Sequence, residues 1–448
     1  MVYGAMHMMR QALSIFSSKK KYIISSLLVI IAVVTGIFYL NRVFMRDGSR
    51  FKYTPFFEND TEYDVLFFGT SHVINGIFPM QLWADYGITS YNFGGHANSI
   101  ATSYWEMVNA CKYHKPKVAV LDVLGANSDG PSMDVSYAHI SMDAFPISLD
   151  KITAAKDIFA DNVQSSKEII TPIRVYHNRW TELSGEMIKA GFGIYDTTKE
   201  MGAESRIAVA VPNEMELIEQ DETMQKDTVA LEYIKKFIDF CRAEGIDPVL
   251  INIPYPASED AQRAANSAIK LGKDNNVQSI NFQYEDIVDL DIDCYDPGSH
   301  LNPSGARKVT DYLGEFLSDT YNLHDKREDS DYQNWNDYYD NYREYIINNI
   351  KNSTDYNVAL MLLNNENFRA ELEYTAEHDI EQVKGAEFKL IEQLGDKLIC
   401  TIVSEIITDD GDAADIMLVI YDTVSGNKVC TKYYNTEETD TLVKNVAQ

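Results

Sequence analysis

Basic residues are scarce in this chain: 39 Lys and Arg stand against 68 Asp and Glu, a formal net charge of −29. Four of those cations, Arg10, Lys19, Lys20 and Lys21, precede the first long apolar run with no acid among them, so the remainder is more acidic still. No basic stripe is left to neutralise phosphates, which argues against nucleic acid as a partner. Cysteine is scarce too. Cys111, Cys241, Cys294, Cys400 and Cys430 are widely spaced and odd in number, with no C-x-x-C pair, which excludes a disulfide framework. Cys400 and Cys430 lie in strand-like runs that could pair across a sheet, but buried free thiols are the preferred reading. The nine histidines do not cluster at ligand spacing, so neither a metal nor any other cofactor is expected. Repeats of solenoid period are also lacking.

What is present is a chain of 448 residues with 45% hydrophobic content, long enough for two folded units plus attachments. Residues 22–40 carry no charge and are nearly all Ile, Leu, Val and Phe, enough to cross a bilayer as a helix. No small-x-small cleavage site follows, so the run reads as an uncleaved signal anchor behind a cytoplasmic tail at 1–21. Arg42, Arg46, Arg50 and Lys52 on the far side offset the basic N-terminal flank. The short tail and the acidic remainder favour a body outside the cell.

After a linker at 41–60, strand and helix patterns alternate. Strands are predicted at 65–68, 91–93, 118–124, 249–253 and 278–282, with helices such as 100–113 and 228–244 between them. Such alternation implies βαβ units, a parallel sheet and helices on both faces, over a domain at 61–325. Residues 128–222 interrupt the pattern as a mostly helical insertion that could roof a crevice. Pro303 opens the last helix of the domain, to about residue 321. Residues 326–355 form a polar, Tyr-rich linker in which Tyr338, Tyr339, Tyr342 and Tyr345 read as a helix docking an aromatic stripe. A small, mostly β (α+β) accessory domain is expected at 356–448, with a helix at 358–363, strands at 368–374, 398–407, 416–421 and 428–433, and a hairpin connection at 422–427.

Three stretches carry chemistry. The strand 65–68 ends abruptly in Gly69-Thr70-Ser71-His72 and so delivers a hydroxyl to the carboxyl edge of the sheet, where open α/β folds place their ligands. Gly94-Gly95-His96-Ala97-Asn98 follows the second strand, and Asp296-Pro297-Gly298-Ser299-His300 precedes the last helix. Each alone is an ordinary turn; together they bring a hydroxyl, an imidazole and an acid to one crevice, the parts a serine needs to attack a carbonyl. His72 and His96 are open between structural and substrate-contact roles, and His177 and Arg179 between a helix-surface pair and substrate binding. Asp122 reads as a buried, hydrogen-bonded carboxylate.

On these residues the chain resembles the SGNH/GDSL-type hydrolases and acyltransferases, of the membrane-anchored kind found in cell-surface polysaccharide modification. Ser71 resembles the nucleophile block, Gly94 to Asn98 the second block, Gly125-Ala126-Asn127 the third, and Asp296 with His300 the last. The resemblance implies a flavodoxin-like three-layer α/β/α fold, with Ser71 as nucleophile, His300 as base and Asp296 as acid. Here the acid stands four residues before the histidine instead of the family's three, and Asp293 is the alternative. Backbone N–H groups of Ser71 and of Gly95 or Ala97 would hold the oxyanion, with the Asn98 or Asn127 amide as a third donor. The implied activity is transfer of an acyl group to a surface glycan, or its removal, with a membrane-bound O-acyltransferase as the implied partner. The other class left open is a catalytically inactive glycan-binding or scaffold protein on the same fold.

Overall fold

The computed structural model describes residues 2–58, 61–194, 199–206, 215–296 and 300–352, and four strands at 387–388, 398–407, 413–422 and 428–434. The chain begins with a long helix, α1 (Val2–Phe44). Its stretch Tyr22–Phe44 is long and apolar enough to cross a membrane, with a mean hydropathy of 2.6 and none of its most apolar window buried. A second helix, α2 (Asp47–Glu58), occupies most of the segment expected as a linker. Tyr53 and Phe56, three apart on one face, are fully buried in the core, and each contributes about 1.5–3 kcal/mol. The turn between the two helices is held by Arg50, whose guanidinium donates to the carbonyls of Arg42, Val43 and Met45. Those are carbonyls orphaned at the end of α1, where a cation also complements the helix dipole.

Next come β1 (Val65–Phe68), α3 (Ser71–Gly76), α4 (Pro79–Tyr86), β2 (Ser90–Asn92), α5 (Ile100–Ala110) and β3 (Val118–Asp122). An insertion follows, containing α6 (Val135–Met142), α7 (Leu149–Ile158), α8 (Val163–Ile170), α9 (Ile173–Tyr176), a 3-10 turn (His177–Glu182) and α10 (Gly185–Gly191). The chain returns through α11 (Val229–Glu244), β4 (Asp247–Asn252), α12 (Glu259–Asp274), β5 (Gln278–Asn281), α13 (Leu290–Asp293), α14 (Pro303–Tyr321) and α15 (Gln333–Asn352). The capping chemistry is local. Thr228 accepts the Leu231 N–H at the start of α11, and Gly245 closes it in the left-handed region, φ 69°.

The five strands form one parallel sheet in the order β2-β1-β3-β4-β5. Leu66 pairs with Tyr91 on one side and Ala119 on the other. Successive side chains alternate between two apolar layers, as the period of a strand requires. Leu66, Phe68, Leu121 and Leu250 pack with Met107 of α5, Phe237 of α11 and Ala268 of α12. Val65, Phe67, Val120 and Ile251 pack with Val73 of α3 and with Val309 and Leu313 of α14. The chain runs from β1 outward to β2 and then back across to β3, so the carboxyl ends of β1 and β3 flank a topological switch point.

Helix α15 docks on the same body. Trp335 is fully buried with its ring 5.5 Å from that of Trp83, and Tyr342 is buried with it. The C-terminal strands β6 (Glu387–Phe388), β7 (Leu398–Ile407), β8 (Ala413–Asp422) and β9 (Lys428–Tyr434) form a separate antiparallel sheet in sequence order. Cys400 and Cys430 both lie opposite Ile420, on the strands either side of it. Their backbones are two strand spacings apart, roughly 9.5 Å, beyond the reach of a disulfide. The helix expected at 358–363, the strand at 368–374 and the turn at 423–427 lie outside the described residues.

Candidate active site

Gly69 ends β1 with φ 154°, a conformation that L side chains rarely adopt, and a Cβ there would stand 2.6 Å from Val73 Cγ2 and 2.8 Å from Asp122 Cβ. Thr70 then caps α3, accepting the His72 N–H at 3.2 Å. This abrupt strand-to-helix turn puts Ser71 at the first helical position, beside the switch point. Asn92, at the end of β2, ties the turn down: its amide donates to Val73 O (2.6 Å) and Ile77 O (2.9 Å) and its oxygen accepts from Gly94 N–H (2.9 Å).

The histidine and acid come from a tight hairpin. Cys294 and Leu301 form an antiparallel bridge, and Tyr295 N–H donates to His300 O at 3.0 Å. The hairpin turns Asp296 back on His300, so that Asp296 Oδ1 accepts the His300 backbone N–H (3.1 Å) and Oδ2 meets Nδ1 at 2.5 Å. An ionised carboxylate only accepts, so the proton sits on Nδ1 and leaves Nε2 as an acceptor. Nε2 stands 2.7 Å from Ser71 Oγ. Ser71, His300 and Asp296 thus form one hydrogen-bonded chain from acid to hydroxyl. The four-residue spacing is satisfied by the contacts of Asp296 with His300 themselves; residues 297–299 lie outside the described residues. Asp293 is fully buried elsewhere, bound to Lys308 Nζ at 2.7 Å and to Asp289 N–H at 2.9 Å.

Aromatic rings wall the imidazole. Tyr295 stacks on His300 with centroids 5.4 Å apart and planes 16° apart, and His72 meets His300 edge-on at 5.2 Å. His72 is 4% exposed and its Nδ1 has no hydrogen-bond partner among the described residues. Burial first, then the neighbouring His300, pulls its pKa down to about 3, so at neutral pH it is an uncharged wall of the site with no face to solvent. Tyr255 packs on its other side at 4.7 Å.

The second-block residues divide. Gly95 N–H is given to Gly69 O at 3.0 Å, whereas the N–H groups of Ser71 and Ala97 have no protein acceptor among the described residues. Ala97 takes φ 51° in the turn. Asn98 faces inward: its amide donates to Glu106 Oε2 (2.9 Å) and its oxygen accepts from Ser141 Oγ (2.8 Å), which buries the group behind the loop instead of offering it to a substrate. Glu106 is fully buried, and desolvation raises its pKa well above the usual carboxylate range. Asn127 is exposed on the turn after β3. His96 lies at the rim, 3.7 Å from Glu204 Oε1, an ion-pair separation; His96, opposed by burial, holds the Glu204 carboxyl down to about 2.

His177 and Arg179 are not brought to this site. His177 Nδ1 bonds the carbonyl of Arg174, and Arg179 donates to the carbonyls of Phe44 (2.6 Å) and Met45 (2.9 Å) at the end of α1. Arg179 thus serves the junction with α1, and His177 the local turn of its own segment. Sequence reasoning passed over Tyr295, Tyr255 and Glu106. For Tyr295 a signal existed, its place directly before the acid; for the other two only the folded packing reveals the part they play. No family model and no curated protein matches the chain.

Proposed function

We propose that the protein is an extracytoplasmic, membrane-anchored serine-dependent acyl-ester enzyme of the SGNH/GDSL type, an O-acyltransferase or esterase acting on cell-surface glycans. The observation that carries this reading is the unbroken chain from Asp296 through His300 to Ser71 Oγ, with bonds of 2.5 and 2.7 Å. The sheet order 2-1-3-4-5, the flavodoxin-like one, and the position of Ser71 at its switch point support it.

In this reading Ser71 Oγ attacks the acyl carbonyl while His300 Nε2 takes its proton, and Asp296 stabilises the imidazolium. The N–H groups of Ser71 and Ala97 are the donors left to meet the oxyanion. The donor's C–O bond breaks as His300 returns the proton to its oxygen, leaving acyl-Ser71. A sugar hydroxyl then gives its proton to His300 and attacks, forming the glycan ester and freeing Ser71. Water in place of the sugar gives hydrolysis. With the body outside the cell, the acyl donor arrives through the membrane, the task of a membrane-bound O-acyltransferase partner. The C-terminal sheet belongs to an accessory domain dispensable for bond cleavage.

The test is a covalent adduct. A fluorophosphonate should add to Ser71 in the full-length protein, mapped by peptide mass, and Ser71→Ala should lose both the adduct and the cleavage of small acetyl esters. No adduct and no ester cleavage by the wild type would replace this reading with a glycan-binding or scaffold protein.

A further inference from the structure

The insertion reaches the helix that leaves the membrane. At about 1.5 Å per residue the 23-residue stretch Tyr22–Phe44 is about 35 Å long, against a hydrocarbon core of about 30 Å, so about one turn at its end reaches headgroup level. Helix α10 packs against this end of α1. Arg42 Nε donates to Gly191 O at 2.9 Å, and a Cβ on Gly191 would collide with Val43 Cγ2 and stand 3.0 Å from Val43 Cα. Phe192 stacks on Tyr39 with centroids 4.8 Å apart. Tyr39 is one helical turn before Val43, so the Phe192 ring reaches nearer the bilayer centre than Gly191 does. The hydrogen bonds from Arg179 to Phe44 O and Met45 O hold the preceding 3-10 turn, with Trp180, at the same end of α1.

The side chains this arrangement leaves uncovered are large and apolar: Trp180 is 66% exposed, Ile188 43%, Phe192 60% and Ile194 65%. Continuity with the spanning helix identifies what covers them, since Phe192 already lies against a residue of the span. Trp at this depth is the side chain favoured at membrane interfaces, with an apolar body and one donor for the wet side. Lys189 of α10, in an ion pair with Glu186, and Arg174 of the adjoining α9 supply cations that anionic headgroups favour.

We propose that α10 and the 3-10 turn before it form a foot embedded in the outer interface of the lipid bilayer beside α1, with Trp180, Ile188, Phe192 and Ile194 among the lipids. This rests on the reading that α1 crosses the membrane. Gly191 permits the close contact, and Tyr53 and Phe56 of α2 lock the body to the same junction. The body is then fixed in tilt as well as tethered, and the Ser71 crevice is held at one height above the lipid surface, suited to a donor delivered through the membrane.

The experiment uses the full-length protein in phosphatidylcholine–phosphatidylglycerol vesicles, with a nitrobenzoxadiazole probe on Ile188→Cys, a control probe on Lys235→Cys of α11, and lipids spin-labelled near the headgroup. The Ile188 probe should be quenched several-fold more than the control. Adding Gly191→Leu should bring its quenching down to the control level while fluorophosphonate labelling of Ser71 persists. Equal quenching of the two probes in protein that resists alkaline carbonate extraction overturns the foot and leaves the anchor standing. Release of the protein by carbonate overturns the anchor and the foot with it.

Discussion

Replacing Asp296 by Asn tests the acid–imidazole half of the proposed chemistry with almost no change of shape. Asp296 accepts two hydrogen bonds from His300, one from the backbone at 3.1 Å and one from Nδ1 at 2.5 Å. The amide oxygen can keep one of them. With the amide nitrogen facing Nδ1, the imidazole carries its proton on Nε2 and can no longer take one from Ser71. The variant also loses the attraction between carboxylate and imidazolium, about 4 kcal/mol for charges ~4 Å apart at an effective dielectric near 20. That is about 10³-fold in rate, and the wrong tautomer carries the loss toward the roughly 10⁴-fold typical of such triads. Because the Asp296 side chain is 31% exposed, the melting temperature should hardly move. The assay is the rate of fluorophosphonate addition to Ser71, alongside hydrolysis of a chromogenic acetyl ester. A variant within about tenfold of wild type would refute the role given to Asp296. Loss of labelling instead in a still-folded Asp293→Asn would move that role to the buried acid beside Lys308.

The sheet was readable because β1, β3 and β4 are short, largely apolar runs that stop at Gly, Asp and Asn, while β2 and β5 each carry a single apolar residue between polar ones. Three strand starts or ends, Val65, Phe68 and Val118, fall where the apolar pattern puts them. Ser71 and His300 were readable for the same reason, since a hydroxyl just beyond a buried strand and an imidazole just before a Pro-opened helix both lie at one edge of a parallel sheet. Asp296 and Asp293 could not be separated from spacing, because the deciding contact is made by a hairpin that folds the chain back on itself. The end of α1 was harder still. Arg42, Arg50 and Arg179 look like topology signals or ligand-binding groups in the sequence, yet each donates to a main-chain carbonyl at the junction of α1 with the body. Glu106 and Lys52 were invisible as buried groups, for nothing in the pattern around them marks a carboxyl or an amine that folding takes out of water.

Gly69→Ala should disable the turn that presents Ser71: the added methyl meets Val73 and Asp122 at 2.6 and 2.8 Å from a φ of 154°. We expect a cost of about 1–3 kcal/mol, seen as a lower melting temperature, with fluorophosphonate labelling lost; labelling at the wild-type rate would contradict it. Glu106→Gln should be tolerated, with a melting temperature within about 2 °C of wild type, because the buried carboxyl is neutral and an amide has its shape. Glu106→Ala should cost about 1–3 kcal/mol by leaving the Asn98 amide without its acceptor; a collapse of the Gln variant would mean that Glu106 is charged and paired with Lys52. Asp122→Asn should change how stability depends on pH. Asp122 is fully buried, its Oδ1 accepts the Ile253 N–H at 3.2 Å and its Oδ2 has no partner among the described residues, so desolvation, opposed by the backbone N–H groups of Ile253, Leu124 and Val123, raises its pKa from 3.8 to about 7. A raised acid keeps its proton in the folded state while the unfolded chain ionises, so its contribution is fully present below about pH 4 and is lost as pH rises toward 7. The loss is about 1.4 kcal/mol per pH unit, about 4 kcal/mol over the window. Asn keeps the Oδ1 acceptor and does not titrate, so the difference in urea-unfolding free energy between wild type and variant should shift in favour of Asn by that amount between about pH 4 and pH 8. A difference that stays constant across the window would mean that Asp122 is ionised in the folded protein.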